Sequence, residues 1–234
     1  MNFHRALSGI IFSALCVGMA GCRGTTRSDS LDTSDIVATF TVTDDGYGSV
    51  YAEARLEART ANNDNWVKLA SGDTLTATFG KQASNLTEMG SGLYQTSFGL
   101  SNAADMTISF NRTKFDDAPD SFGFMPEALD LGGFDGAVIS RGSDFIIIEL
   151  PATESDKSVT ISGSCVTTLT FDIGRDGGDV TVYPGDLYSS DSLAECDVTM
   201  TLTTTMYGEA DPAFHPDSSF VLMRERATTF YSIP

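Results

Sequence analysis

The residues of this chain that can act as bases, nucleophiles or metal ligands are few and poorly spaced for catalysis. Its 234 residues include two histidines, His4 and His215. A Ser-His-Asp hydrolase would have to use His215, which sits between Pro212 and Pro216, and no Gly-x-Ser-x-Gly turn supplies a nucleophile. No His-x-x-x-His or Cys-x-x-Cys offers a zinc site, and no Gly-rich loop precedes a helix to hold a phosphate. Calcium is the one metal worth weighing: Asp172, Asp176 and Asp179 crowd a Gly-rich turn, and Asp116, Asp117 and Asp120 offer three more carboxylates. Calcium takes six to eight oxygens; neither stretch has EF-hand spacing, and Arg175 inside the first opposes a cation. Asp and Gly are also ordinary turn residues. Trp66, Tyr51 and Tyr94 have the ring chemistry of a sugar-binding face, although aromatic residues in strands commonly serve as core or cross-strand partners. A pair of carboxylates could hydrolyse glycosides if folding brought them together, but the number of acids is no evidence for it. The residues therefore point away from an enzyme and imply no cofactor.

The remaining reactive residues are four cysteines, and the segment around the first two decides their fate. Arg5 lies in a short leader without acids, an apolar run follows from Ala6 to Ala20, and small residues close it. That is the order of a secretory signal, residues 1–21, and the run is short of the ~20 residues that span a bilayer as a helix. Met19-Ala20-Gly21-Cys22 resembles the lipobox of bacterial lipoproteins, with Met19 in the position that prefers Leu. The resemblance implies that Cys22 is diacylated and becomes the mature N-terminus, anchored firmly by its acyl chains. It also implies a bacterial cell envelope location, with Arg23 in place of an inner-membrane Asp favouring the outer membrane. The layout resembles uncharacterised β-rich lipoproteins and brings no catalytic residues with it. Cys16 leaves with the signal, so Cys165 and Cys196 remain as an even pair in an oxidising compartment, and a disulfide is expected between them.

Loss of the signal removes one Arg and no acid, taking the formal charge from -18 to -19. Such a surface argues against nucleic acid or an anionic lipid surface as an electrostatic partner. The expected partners are the membrane, through the anchor, and an envelope protein.

Residues 22–35 are polar, with Leu31 as the one aliphatic side chain, and are expected to form a disordered tether. From Ile36 the pattern has period two. Ile36, Ala38, Phe40 and Val42 alternate with Val37, Thr39, Thr41 and Thr43; after a turn, Val50, Ala52, Ala54, Leu56 and Ala58 do the same. Ala, Leu, Glu and Arg are helix formers, but strict i, i+2 spacing predicts a strand. Further strands are predicted at Trp66 to Leu69, Thr74 to Phe79, Leu93 to Phe98 and Asp105 to Arg112, punctuated by glycines. Asp116 to Gly136 has no period and reads as an ordered connection, because Phe122, Phe124, Met125 and Phe134 are too apolar for a free linker. Phe145 to Ile148, apolar on both faces, is expected as a central or interface strand. Strands follow within Ser158 to Asp172, at Val180 to Tyr183, at Val198 to Met206 and at Phe220 to Tyr231. The expectation is an all-β protein of two tandem Ig-like β-sandwiches, residues 36–130 and 131–234. Its expected role is structural or protein-binding, with a carbohydrate- or calcium-binding module as the alternative and an envelope hydrolase behind it.

Overall fold

The computed structural model describes residues 23–60, 63–99, 103–131, 133–143, 145–187 and 195–234, so the signal segment and Cys22 lie outside the described residues. The described chain is nearly all β, with 3-10 turns at Ser28–Ser30 and Thr33–Asp35. The strands of its first half are β1 (Thr25–Arg27), β2 (Ile36–Asp44), β3 (Ser49–Thr60), β4 (Asn63–Lys68), β5 (Thr74–Phe79), β6 (Gln82–Asn85), β7 (Thr87–Gly90), β8 (Leu93–Gly99), β9 (Asp105–Asn111) and β10 (Ala118–Phe124). Those of its second half are β11 (Val138–Ser140), β12 (Phe145–Leu150), β13 (Asp156–Gly163), β14 (Val166–Gly174), β15 (Gly178–Val182), β16 (Cys196–Gly208) and β17 (Ser219–Ile233).

One large sheet runs in the order β1-β4-β3-β2-β17-β16-β13-β14, with β8 beside β3, β7 beside β8 and β11 beside β17. A four-stranded sheet, β10-β9-β5-β6, and a two-stranded sheet, β12-β15, complete the fold. Alternation decides which residues face inward. Ile36, Ala38, Phe40 and Val42 of β2 are buried, as are Val50, Ala52, Ala54, Leu56 and Ala58 of β3. Pattern thus overrides helix propensity along β3. These residues share a core with Leu75, Ala77 and Phe79 of β5 and Met106, Ile108 and Phe110 of β9, which makes a β-sandwich. A second core joins Val159, Ile161, Val198, Met200, Leu202 and Phe230 of the large sheet to Leu150, Val180 and Val182 of the two-stranded one.

The two cores share one strand among the described residues. β17 runs parallel to β2, Phe220 beside Phe40 and Leu222 beside Val42, and antiparallel to β16 over its whole length. Its inward side carries Phe220 and Leu222 into the first core and Phe230 into the second. Between them stand Arg224 and Arg226, clamped on the buried carboxylate of Asp44: Arg224 Nε donates at 2.8 Å, Arg226 Nη1 and Nη2 at 3.2 Å each. This polar waist divides the apolar interior without dividing the sheet. Phe40 meets Phe214 and Phe220 edge-on at 5.8 and 5.6 Å, and Phe110 stacks on Phe214 at 5.9 Å. The first core therefore draws on residues far beyond position 130, and the expected boundary at 130/131 does not coincide with a break in the sheet.

Three expectations need correction. The disordered tether is folded from Arg23 onward: β1 pairs in parallel with β4, and Ser28, Leu31 and Thr33 are buried. Arg112 donates to the carbonyls of Ser28 and Leu31 and, at 2.7 Å, to Thr33 Oγ1. Hydrogen bonds to a buried guanidinium do here what apolar residues would otherwise do. The connection at Asp116 to Gly136 contains a strand, β10, paired with β9. Of the central or interface position expected for Phe145 to Ile148, the central one is not found among the described residues: the strand has one described partner, β15.

Candidate ligand-binding face

The smaller sheet presents an outward face built by β10, β9 and β5. Gly123 of β10 points inward, where a Cβ would stand 2.5 Å from Leu222 Cδ1; a Cβ on Gly208 would stand 2.5 Å from the Phe122 carbonyl oxygen. Only glycine at both positions lets β10 cross this close to β16. Phe122 exchanges backbone hydrogen bonds with Glu209 at 2.9 and 2.8 Å. With Gly123 inward, alternation sends Phe122 and Phe124 outward. They are 38% and 50% exposed, with ring centroids 4.7 Å apart and planes at 84°. Their partners on β9 are Thr107 and Asp105. Because Met106, Ile108 and Phe110 face the core, Thr107 and Ser109 face out, as do Thr76 and Thr78 of β5. Thr76 Oγ1 donates to Asn85 Oδ1 at 2.9 Å and Ser109 Oγ to the Pro119 carbonyl at 2.7 Å. The result is an aromatic pair set among hydroxyls, with carboxylates at its margin, Asp105 opposite Phe124 and Glu209 opposite Phe122. Rings supply apolar contact and hydroxyls supply hydrogen bonds, a combination suited to holding a ligand.

The other aromatic candidates do not come together as a face. Tyr94 is buried in the first core, its hydroxyl donating to the Val67 carbonyl at 3.0 Å and accepting the Leu69 N–H at 2.9 Å. Burial pushes that phenol above its ordinary pKa. Tyr51 is half exposed on β3. Trp66 lies under two guanidinium groups, Arg23 at 5.0 Å and Arg55 at 5.4 Å from its ring centroid.

Among the described residues, no three His, Cys, Asp or Glu side chains stand close enough to share a metal ion. Asp172 borders a shallow depression of about 310 Å³ with Asp156, Lys157 and Tyr207, while the side chain of Asp179 lies outside the described atoms. A buried ammonium, that of Lys157, lies in the neighbourhood. Lys157 Nζ donates to Thr153 Oγ1 at 2.9 Å and to the carbonyls of Arg175 and Ser155 at 3.0 and 3.4 Å. Burial lowers its pKa, against the pull of Asp156 and Asp176. Arg175 pairs with Asp156 at 3.3 Å. In the other acidic stretch, Asp117 accepts the Arg112 N–H at 2.5 Å and the Asp116 carbonyl accepts Thr33 Oγ1 at 2.5 Å, so both serve the local fold. His215 Nδ1 accepts the Asp217 N–H at 3.2 Å and closes a turn.

Cys165 and Cys196 form a disulfide with Cα atoms 5.7 Å apart. It ties the β13–β14 turn to the start of β16, so it joins neighbouring strands of one sheet. In the sequence, Phe122 and Phe124 stand out only as too apolar for a linker. The alternation Phe-Gly-Phe beside an inward Ser121 is the signal that they face solvent.

No family model matches this chain, and no curated protein matches it. Among solved structures it is similar to SGBP-B of the Bacteroides ovatus mixed-linkage glucan utilization locus, in complex with a mixed-linkage heptasaccharide. The identity is 11%, the TM-score 0.23, and the match covers 94% of this chain and 69% of that one. A likeness at that score carries no weight for the function of this chain.

Proposed function

We propose that this chain is a lipid-anchored, non-enzymatic protein of the bacterial cell envelope that engages a partner through the outward face of its smaller sheet. The anchor rests on Met19-Ala20-Gly21-Cys22, and the outer-membrane assignment on Arg23 after the cysteine. The binding role rests on one observation, the solvent-facing Phe122–Phe124 pair. Burying a phenylalanine is worth about 1.5–3 kcal/mol, so two left on an otherwise polar face support a bound state that covers them.

Cell fractionation with protease treatment tests the anchor. Wild-type protein is expected in the membrane fraction and Cys22→Ala in the soluble one; both proteins soluble would retire the lipoprotein reading. Cleavage on intact cells would set the body outside the outer membrane, and protection until that membrane is opened would set it in the periplasm. Cross-linking wild type beside Phe122→Ala/Phe124→Ala tests the face: the adduct with an envelope protein should disappear in the variant. An unchanged adduct pattern would remove this face from the proposal.

A second reading, carbohydrate capture, is favoured by the hydroxyls of Thr76, Thr78 and Thr107 around the rings and by Asp105 at their edge. A pyranose offers an apolar face to a ring and hydroxyls to such groups. Retardation of the protein in gels containing soluble neutral polysaccharides, abolished by the double alanine variant, would support it. Migration unaffected by any polysaccharide would leave the protein-binding reading alone.

A further inference from the structure

The fold of the segment after Cys22 leaves no slack between a lipid anchor and the body of the protein. Arg23 Nη1 donates to Glu57 Oε2 at 3.0 Å, and its guanidinium lies against the Trp66 ring. The Gly24 carbonyl accepts the Trp66 N–H at 3.0 Å, and Thr25 pairs with Trp66 where β1 joins β4. Asn65 Nδ2 donates to Thr26 Oγ1 at 3.0 Å. One peptide unit, about 3.8 Å between Cα atoms, separates Arg23 from Cys22. Acyl chains on Cys22 would therefore hold Trp66 on the order of 10 Å from the membrane surface, where a flexible tether would let it drift much farther.

The chemistry of this edge suits the position. Indole is at home at the boundary between headgroups and acyl chains, where its ring meets an apolar layer and its N–H a wet one. The guanidinium groups of Arg23 and Arg55 flank the ring, and guanidinium recognises phosphate through paired hydrogen bonds. Lys68 follows two residues after Trp66 on the same face of β4. We infer that the edge of the large sheet bearing Arg23, Arg55, Trp66 and Lys68 rests in the phospholipid headgroup layer when Cys22 is acylated. The inference rests on the acylation of Cys22 proposed above, and it fixes the orientation of the whole body on the membrane.

Trp66 is the only tryptophan of the chain, so its fluorescence reports this contact directly. The acylated full-length protein would be placed in phosphatidylethanolamine–phosphatidylcholine vesicles, with and without bromine high on the acyl chains, and recovered by flotation. Emission should fall by at least about twofold with the brominated lipid, as for an interfacial indole. A ten-residue Gly/Ser insertion between Cys22 and Arg23 leaves the fold alone but adds a mean reach of about 17 Å. It should float equally well and lose most of the quenching. Protein that floats while Trp66 stays unquenched would overturn the docking and leave the anchor intact. Quenching unchanged by the insertion would overturn the role of the short connection. Wild-type protein that does not float would overturn the acylation itself and the docking with it.

Discussion

The centre of the N-terminal segment is an ion pair inside the protein. The side chains of Arg112 and Asp73 are almost wholly buried, with Arg112 Nε 3.8 Å from Asp73 Oδ2 and without a hydrogen-bond partner. Asp73 accepts Ser28 Oγ at 2.7 Å, the Thr113 N–H at 2.9 Å and Thr113 Oγ1 at 3.0 Å. Burial pushes its carboxyl up, but these bonds and the Arg112 charge outweigh burial and hold it below the ordinary carboxylate range. Asp44 at the waist behaves alike: burial raises it, and the bonds from Arg226 and the Gly46 N–H bring it below its ordinary value. A carboxyl with a depressed folded pKa stabilises fully above its unfolded pKa of about 3.9, and the contribution is lost as pH falls through the folded value. Asp73→Asn takes from buried Arg112 the strongest of its counter-charges, ahead of Asp32 and Asp117, and should cost about 3–5 kcal/mol at pH 7. The gap to wild type in urea denaturation should begin to narrow below about pH 4, where the unfolded chain's carboxyl takes up a proton, and go on narrowing as pH falls through the lower folded value. A gap of the same size at pH 7 and pH 3 would show that the charge of Asp73 is not what matters. This cluster is invisible to hydropathy, because Ser28 and Thr33 are polar and are buried through hydrogen bonds.

At the scale of elements, strands with apolar residues on one face are legible in the sequence and strands that break that rule are not. β2, β3, β5 and β9 bury their periodic residues as their sequences require. β10 escapes such a reading because its inward residues are Ala118, Ser121 and Gly123 and its large apolar residues face water. Periodicity there points to the wrong face. β17 is legible as a strand but not as a shared one, although Phe220, Leu222, Arg224, Arg226 and Phe230 spell out an interior with a polar interruption. The shared strand β17 couples the two cores. Reducing Cys165–Cys196 opens a loop spanning a separation of 31 in the second core and should lower stability by about 3.5 kcal/mol in the chain-entropy account. Trp66 stands beside the first core, yet its fluorescence-detected urea midpoint should move as far as the midpoint seen by circular dichroism, because β17 serves both cores. A Trp66 midpoint that ignores reduction would mean that the cores unfold independently.

For the whole molecule the same sharing decides what can be cut. Division of the sequence at residue 130 follows the change from strands to an aperiodic stretch, but the sheet follows a different logic. Removing residues 131–234 would strip β17 from β2 and expose one edge of that strand from Thr39 to Asp44. It would also take Phe214, Phe220 and Leu222 out of the first core, three large side chains each buried to 2% exposure or less. Losing a single phenylalanine side chain from a packed interior costs about 3–5 kcal/mol, and a whole domain is stable by only about 5–15 kcal/mol. The complementary fragment would keep Arg224 and Arg226 but lose the Asp44 carboxylate that neutralises them. Residues 23–130 and residues 131–234 expressed separately should therefore each lack a cooperative thermal transition by circular dichroism, while residues 23–234 melt in one step. A cooperative melt from residues 23–130 alone would restore two self-sufficient sandwiches in tandem and reduce the β2–β17 pairing to a contact between finished domains.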